Sequence, residues 1–149
     1  MPDARDRDRF ILMAEDDEED RMLVRQALQE AGLEARRLEE VPDGEALLQA
    51  LLGEGAGAAG MRPDLVLLDL NMPRKDGREA LAEIKRHPEL RRIPVIVLTT
   101  SSAEEDVLRS YDDGANSYIR KPVTFEGLVQ AMRTLGLYWF DTVALPPAG

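Results

Sequence analysis

The chain has 149 residues, with 29 acidic and 19 basic side chains, a formal net charge of −10 at pH 7, and no cysteine. This length fits one ordinary domain, and the lack of cysteine excludes disulfides, thiol chemistry and zinc–thiolate sites. The negative charge disfavours binding to nucleic acid or to an anionic membrane surface, and no apolar run is long enough to span a membrane, so we expect a cytoplasmic protein.

Apolar runs alternate with amphipathic segments along the chain, which predicts five strands and five helices. The predicted strands are residues 10–14, 35–41, 65–69, 94–98 and 117–121. The predicted helices are residues 21–31, 45–52, 77–86, a segment that begins at a capping box on Ser101 or Ser102 and ends near 112, and residues 125–137. The strand at 35–41 is the most polar, so we expect it at or near a sheet edge. Strands that alternate with helices in this way form a parallel sheet covered by helices on both faces.

These elements divide the chain into three predicted parts. Residues 1–9 alternate acidic and basic side chains and form a disordered tail, residues 10–137 form one domain, and residues 138–149 form a C-terminal arm. Three of the chain's seven aromatic residues, Tyr138, Trp139 and Phe140, open this arm. Such a cluster either folds back on its own domain or marks an interface, and both interpretations stay open.

A glycine-rich stretch follows the second predicted helix. Residues 55–60 match the G-x-G-x-x-G pattern of dinucleotide-binding loops, which need a strand before them and a helix after them. Here a helix precedes the pattern and Pro63 follows it, so we interpret the stretch as a flexible connector.

Polar side chains that can do chemistry come directly after the apolar strands: Glu15, Asp16 and Asp17, then Asp69, Thr99 and Lys121. Ligands bind outside the carboxyl ends of the strands in an open parallel sheet, so these residues are expected to converge. The acidic run at 15–20 taken alone is also typical of a solvated patch. Clustered carboxylates repel one another unless a cation offsets their charge, and their oxygens suit Mg²⁺. With Lys121 and Thr99 as donors to phosphoryl oxygens, the set predicts phosphoryl transfer.

Four short motifs resemble those of the response-regulator receiver family of two-component signalling: Glu15-Asp16, the strand that ends at Asp69, Leu98-Thr99-Thr100 and Lys121-Pro122. The resemblance covers residues 10–137 and includes the order and approximate spacing of the diagnostic positions. It implies a flavodoxin-like, doubly wound sheet of five parallel strands in the order 2-1-3-4-5, with five helices.

The resemblance also implies a role for each matching residue. Asp69 is the phosphoacceptor, and Thr99 and Lys121 bind the phosphoryl oxygens. The residues implied to hold a Mg²⁺ cofactor are Glu15, Asp16, Asp69 and, through its backbone carbonyl, Asn71.

Two further features follow from the same resemblance. Tyr118 matches the aromatic switch residue, whose ring turns inward as Thr99 moves toward the phosphoryl group. A half-buried strand tyrosine is the alternative interpretation of Tyr118. The Lys121–Pro122 peptide bond is expected to be cis.

We expect the signal to leave through protein contacts, by docking, dimerisation or onward phosphotransfer, because residues 138–149 are too few for an output domain. The arm, residues 75–79 and the long loop before Pro63 resemble the small regulators paired with phytochrome-type histidine kinases. That subgroup implies a sensor histidine kinase, a bacteriophytochrome, as partner and a homodimer formed through residues 138–145. The only histidine, His87, precedes Pro88 at a helix end, so the donor histidine is expected in the kinase.

Two other classes of protein compete with this interpretation. A haloacid-dehalogenase-type phosphatase also uses a strand-end aspartate, but it needs a second acid where Asn71 stands. A scaffold that keeps the fold without the chemistry would not need Asp16, Asp69, Thr99 and Lys121 together. We therefore expect a signalling domain that catalyses only its own phosphorylation and dephosphorylation.

Overall fold

Three strands with buried side chains form the centre of a five-stranded parallel sheet. A computed structural model describes residues 10–33, 37–53, 60, 62–70, 77–100, 104–140 and 142–146. In these residues the strands β1 to β5 are Phe10–Ala14, Arg37–Val41, Leu65–Leu68, Val95–Thr99 and Ser117–Arg120. The helices α1 to α5 are Glu18–Glu30, Gly44–Leu52, Gly77–Arg86, Glu104–Asp112 and Phe125–Trp139. The strand order β2-β1-β3-β4-β5, with every neighbouring pair parallel, confirms the predicted fold.

The sheet has a separate core on each face, because side chains alternate between the faces along every strand. On one face, Leu12 and Val66 lie in a buried cluster with the apolar sides of α2 and α3. On the other face, Ile11 and Leu67 lie in a cluster with α1 and α5. The polar strand β2 lies at one edge, as predicted, and α4 contacts β5 at the opposite edge.

Two helix boundaries differ from the prediction by two residues or more. Helix α1 begins at Glu18, three residues before the predicted start, because the Asp17 side chain accepts a hydrogen bond from Asp20 N and caps the helix. Helix α5 ends at Trp139 rather than at residue 137, and Phe140 directly after it is only 3% exposed. The helix is longer because its apolar face continues to Trp139 and leads into the buried side chain of Phe140. The predicted end at residue 137 is therefore wrong by two residues.

Several predicted features lie outside the described residues. These are the charged tail at 1–9, residues 54–59 of the glycine-rich stretch, and the capping serines Ser101 and Ser102. Among the residues that the structure does describe, no helix has the length and apolar character needed to cross a bilayer.

Candidate functional site

The register of the sheet brings Asp69 next to Glu15. Ala14 on β1 pairs with Leu68 on β3, so the residue after each strand emerges at the same edge. Asp69 N donates to Ala14 O at 3.0 Å, and Glu15 N donates to Val41 O at 3.1 Å, which continues the ladder by one residue. The backbone of both acids is therefore fixed by the sheet rather than by a loop.

Three carboxylates form a cluster at this edge. Glu15, Asp16 and Asp69 each offer one oxygen, and these oxygens lie within 4.8 Å of one another. Glu15 and Asp69 are 3% and 9% exposed, whereas Asp16 faces solvent. Asn71, the fourth predicted ligand, lies outside the described residues. The structure therefore brings together the three predicted acidic ligands.

The electrostatics of this cluster favour a cation. Burial, a side-chain hydrogen bond with Asp69 and the charge of Asp69 raise the pKa of Glu15 to about 8, while Lys121 opposes the rise. Neighbouring carboxylates repel one another, and protonation is one way to relieve that repulsion. A hard divalent ion relieves it in another way, and a set of carboxylate oxygens with one solvent-facing side fits such an ion. The residues present thus fit the metal that the sequence predicts.

Lys121 supplies the positive charge of the site. Its Nζ donates to Glu15 Oε2 at 3.1 Å and to Asp20 Oδ2 at 3.3 Å. Burial disfavours the charged amine, but the carboxylates of Glu15, Asp69 and Asp20 outweigh that effect and raise the pKa of Lys121. Lys121 is therefore a charged ammonium group at neutral pH, beside the acidic cluster.

Thr99 and Tyr118 lie on the strands that complete this edge. Thr99 is the last residue of β4 and fully buried, and its carbonyl accepts from Lys121 N at 2.7 Å. Tyr118 is a half-buried residue of β5 that pairs with Val97 and packs against the core that α2 and α3 cover. Thr99 and Lys121 therefore come together as predicted, while the switch role of Tyr118 stays a prediction.

Sequence reasoning missed two residues of α1 that contact the site. Asp20 contacts Lys121, and Arg21 Nη1 donates to Glu15 O at 3.0 Å. The acidic run indicated a charged region, but nothing in it distinguished Asp20 from its neighbours. The contact appears only when the first turn of α1 is placed against the end of β5.

Two other predictions concern residues near or outside this edge. His87 follows the end of α3, where its Nδ1 accepts from Glu89 N at 3.1 Å, and among the described residues it is not a member of the acidic cluster. The described residues contain no cis peptide bond, so the expected cis bond at Lys121–Pro122 is wrong for this structure, where it is trans.

A family model for the response regulator receiver domain matches residues 11–133. Response regulator Rcp1 of Synechocystis sp. (strain ATCC 27184 / PCC 6803 / Kazusa) is 41% identical over 148 residues, which cover 99% of this chain and 100% of Rcp1.

Two solved structures are similar over nearly their whole length. The phosphorylated cyanobacterial phytochrome response regulator RcpA is 42% identical with a TM-score of 0.87, and the match covers 94% of this chain and 99% of RcpA. The Mn²⁺-bound form of Rcp1 is 41% identical with a TM-score of 0.83, and the match covers 93% of this chain and 99% of that structure.

Proposed function

This chain belongs to the response-regulator receiver family, and from that premise we propose that Asp69 accepts a phosphoryl group from a sensor histidine kinase. The observation that carries the proposal is the carboxylate cluster of Glu15, Asp16 and Asp69 beside the Lys121 ammonium group. Negative oxygens for a cation and a positive donor for phosphoryl oxygens meet at the carboxyl ends of β1, β3 and β5. Phosphoryl transfer depends mainly on positioning and on charge neutralisation, which this arrangement supplies.

We propose Mg²⁺ as the cofactor, held by the side chains of Glu15, Asp16 and Asp69 and by the backbone carbonyl of Asn71. The oxygen-only ligand set supports a hard ion, and the Mn²⁺-bound Rcp1 structure shows that a relative takes a divalent metal. When bound, the ion offsets the negative charge between the carboxylates and the incoming phosphoryl oxygens.

Asp69 acts as the nucleophile in this proposal. One of its carboxylate oxygens forms a bond to phosphorus as the bond between phosphorus and the donor histidine nitrogen breaks, and the imidazole recovers a proton from solvent. Lys121 binds a phosphoryl oxygen through its ammonium group, and Thr99 binds another through its hydroxyl. Water later attacks the phosphorus, and Asp69 leaves as a carboxylate. The domain thus changes only its own phosphorylation state, and Tyr118 turns inward as Thr99 moves.

Incubation with acetyl phosphate and Mg²⁺, followed by intact mass spectrometry, tests this function. We expect one labile phosphoryl adduct that is absent in Asp69→Asn, while the matched variant Asp17→Asn retains both the adduct and the helix cap. Continuous turnover of acetyl phosphate without an adduct would instead indicate a phosphatase. If neither turnover nor an adduct occurs with any small-molecule or kinase donor, the chain is a scaffold and the proposal is wrong.

We propose that the donor is a phytochrome-type kinase, a bacteriophytochrome, acting in the cytoplasm. Rcp1 and RcpA support this proposal because both match nearly the whole chain and RcpA is described as a phytochrome response regulator. The net charge of −10 favours a protein partner over nucleic acid or an anionic membrane. Profiling phosphotransfer from purified histidine kinases tests the choice, and faster transfer from kinases without a phytochrome sensor would contradict it.

We further propose a homodimer that involves residues 138–145. A groove of about 430 Å³ between β5 and α5 has a mainly apolar lining that includes Ile119, Leu135 and Trp139. Tyr138, half exposed, also lines this groove, with its ring edge-on to Trp139. Apolar area that stays exposed in one copy can be buried by a second. Light scattering of the wild type and of Tyr138→Ala, which keeps the buried Phe140, tests the proposal, and a monomer in both cases would reject it.

A further inference from the structure

Among the described residues, Lys121 contacts Asp20, a residue that the proposed phosphoryl chemistry does not use. It lies in the first turn of α1, where its backbone N donates to Asp17 Oδ1 at 3.1 Å. Its Oδ2 accepts from Lys121 Nζ at 3.3 Å, across 101 residues of sequence. The helix cap fixes the backbone of Asp20, so its carboxylate is held at the end of β5.

Glu15 and Asp20 bind Lys121 from the same side. Glu15 is itself held in place, because its Oε1 accepts from Asp17 N at 3.2 Å while its Oε2 accepts from Lys121 at 3.1 Å. Both acids belong to the segment 15–20, which follows β1 and includes the first turn of α1. Two of the three donors of the ammonium group therefore point toward this segment.

The two contacts differ in strength. The side chain of Glu15 is 4% exposed and that of Lys121 is 12% exposed, whereas that of Asp20 is 42% exposed. A more exposed ion pair is better screened by water and contributes less free energy. The Lys121–Asp20 pair is also the longer one, so it is the contact that a competing anion would displace first.

We propose that Asp20 is a positioning residue that holds Lys121 on the α1 side of the cleft, so that a phosphoryl group must compete with Asp20 for the Lys121 ammonium. This inference rests on the proposed function, since it assigns Asp20 to the regulation of the same site. Asp20 lowers the affinity of the site for a phosphoryl group and shortens the lifetime of the phosphorylated form. The residue sets the strength of the switch without touching the reacting atoms.

The chain offers close controls for this idea. Asp20→Asn removes the charge with almost no change in shape, and Asp20→Glu restores a carboxylate. Glu19→Gln removes the same charge from the same turn at an exposed residue. A general effect of net charge would appear equally in Asp20→Asn and Glu19→Gln, whereas a contact with Lys121 affects only Asp20→Asn.

The test measures the affinity for beryllofluoride, a phosphoryl stand-in, by calorimetry at saturating Mg²⁺. We expect Asp20→Asn to bind about two- to fivefold more tightly than the wild type, as the loss of one half-exposed ion pair predicts, and to keep its phosphoryl group longer by a similar factor. Asp20→Glu and Glu19→Gln should match the wild type. Unchanged or weaker binding by Asp20→Asn, or an equal gain in Glu19→Gln, would overturn the inference.

A second measurement needs neither metal nor phosphoryl chemistry. In the metal-free protein, the side-chain NMR signals of Lys121 should shift in Asp20→Asn and stay in place in Glu19→Gln. Signals that do not move in Asp20→Asn would show that the contact has no influence. If the wild type binds no beryllofluoride, the proposed function fails, yet these signals still test the contact between Asp20 and Lys121.

Discussion

Arg78 Nη2 lies 2.6 Å from Asp106 Oδ1, so an ion pair joins the first turns of α3 and α4. Helix α3 follows the segment that comes after Asp69, and α4 follows the segment that comes after Thr99. The two side chains are 24% and 25% exposed, so the pair is partly shielded from solvent. It therefore links the two helices that follow these segments.

This ion pair should contribute measurably to stability. In a double-mutant cycle with Arg78→Met and Asp106→Asn, we expect a coupling of about 1 kcal/mol in the free energy of unfolding, because charge-assisted pairs that are partly buried are screened less. Urea denaturation of the four proteins gives the value. The exposed pair Arg37–Glu39, at 3.4 Å, is the matched control and should give nearly zero. Equal couplings for the two pairs would contradict the expectation.

Much of the fold could be predicted because the local patterns are strong. The apolar runs of β1, β3 and β4 end at polar residues that mark the functional edge, and β2 is polar enough to indicate an edge strand. The strand order could not be derived from these patterns. Periodicity indicates only a parallel sheet, and the order 2-1-3-4-5 was implied by the family resemblance. The extent of α5 was available in the sequence, because Met132, Leu135 and Phe140 continue one helical face.

The site was predictable only where a residue ends or directly follows a strand. Glu15, Asp69 and Thr99 are placed by the sheet register, so their position along the chain determines their position in space. Asp20 lies on a helix, and its contact with Lys121 depends on how α1 packs against the sheet. No local pattern encodes that packing, which is why the acidic run could not be resolved into separate roles.

Position 77 requires glycine because its backbone lies close to the backbone of Asp69 and Leu70. A Cβ at this position would lie 2.7 Å from Leu70 Cα and would clash with the carbonyl oxygen of Asp69. Because backbone cannot rotate away, we expect Gly77→Ala to lower the free energy of unfolding by about 1–3 kcal/mol and to slow phosphorylation of Asp69. Urea denaturation and the acetyl phosphate reaction measure the two effects.

Gly136→Ala is the comparison for Gly77→Ala. Its new Cβ would meet the side chain of Leu33, which is half buried and can rotate, and alanine favours a helix interior over glycine. We therefore expect a smaller loss of stability and no change in phosphorylation. Equal effects of the two variants on phosphorylation would show that contact with Asp69 is not what Gly77 provides.

Lys85 should make stability depend on alkaline pH. Its Nζ donates to Arg91 O at 3.1 Å, Ile93 O at 2.7 Å and Asn116 Oδ1 at 2.9 Å, but burial lowers its pKa from 10.5 to about 8. Between these values the unfolded chain binds more protons than the folded one, so stability rises with pH. The cost of burying the charge is complete below about pH 8 and is relieved as pH approaches 10.5.

The comparison with Lys85→Met isolates this effect. We expect the free energy of unfolding of the wild type, minus that of Lys85→Met, to increase between pH 8 and 10.5 in urea titrations. The subtraction removes the other groups that titrate in the same range. A difference that is constant or falls across this interval would show that burial does not lower the pKa of Lys85.

Asp16 and Asp17 are adjacent acids with different expected functions. Asp16 belongs to the carboxylate cluster, whereas the Asp17 side chain caps α1. Asp16→Asn removes one charged ligand, so we expect Mg²⁺ affinity to fall on the order of tenfold or more, with stability nearly unchanged. Asp17→Asn keeps a good capping residue and should bind Mg²⁺ as the wild type does. Calorimetric titration with Mg²⁺ distinguishes them, and equal affinities would remove Asp16 from the site.

Phe140 and Tyr138 separate a core role from an interface role in the C-terminal segment. Phe140 is 3% exposed within the core that α1 and α5 share, so Phe140→Ala should lower the free energy of unfolding by about 3–5 kcal/mol. Tyr138 is 51% exposed, so Tyr138→Ala should leave stability nearly unchanged and weaken self-association.

Urea denaturation and light scattering, each at two protein concentrations, measure both effects. If the loss in Phe140→Ala depends on protein concentration, the ring packs against a second copy. A loss independent of concentration means that the segment folds back on its own domain, as the packing of Leu145 against the core that α1 and α5 share indicates.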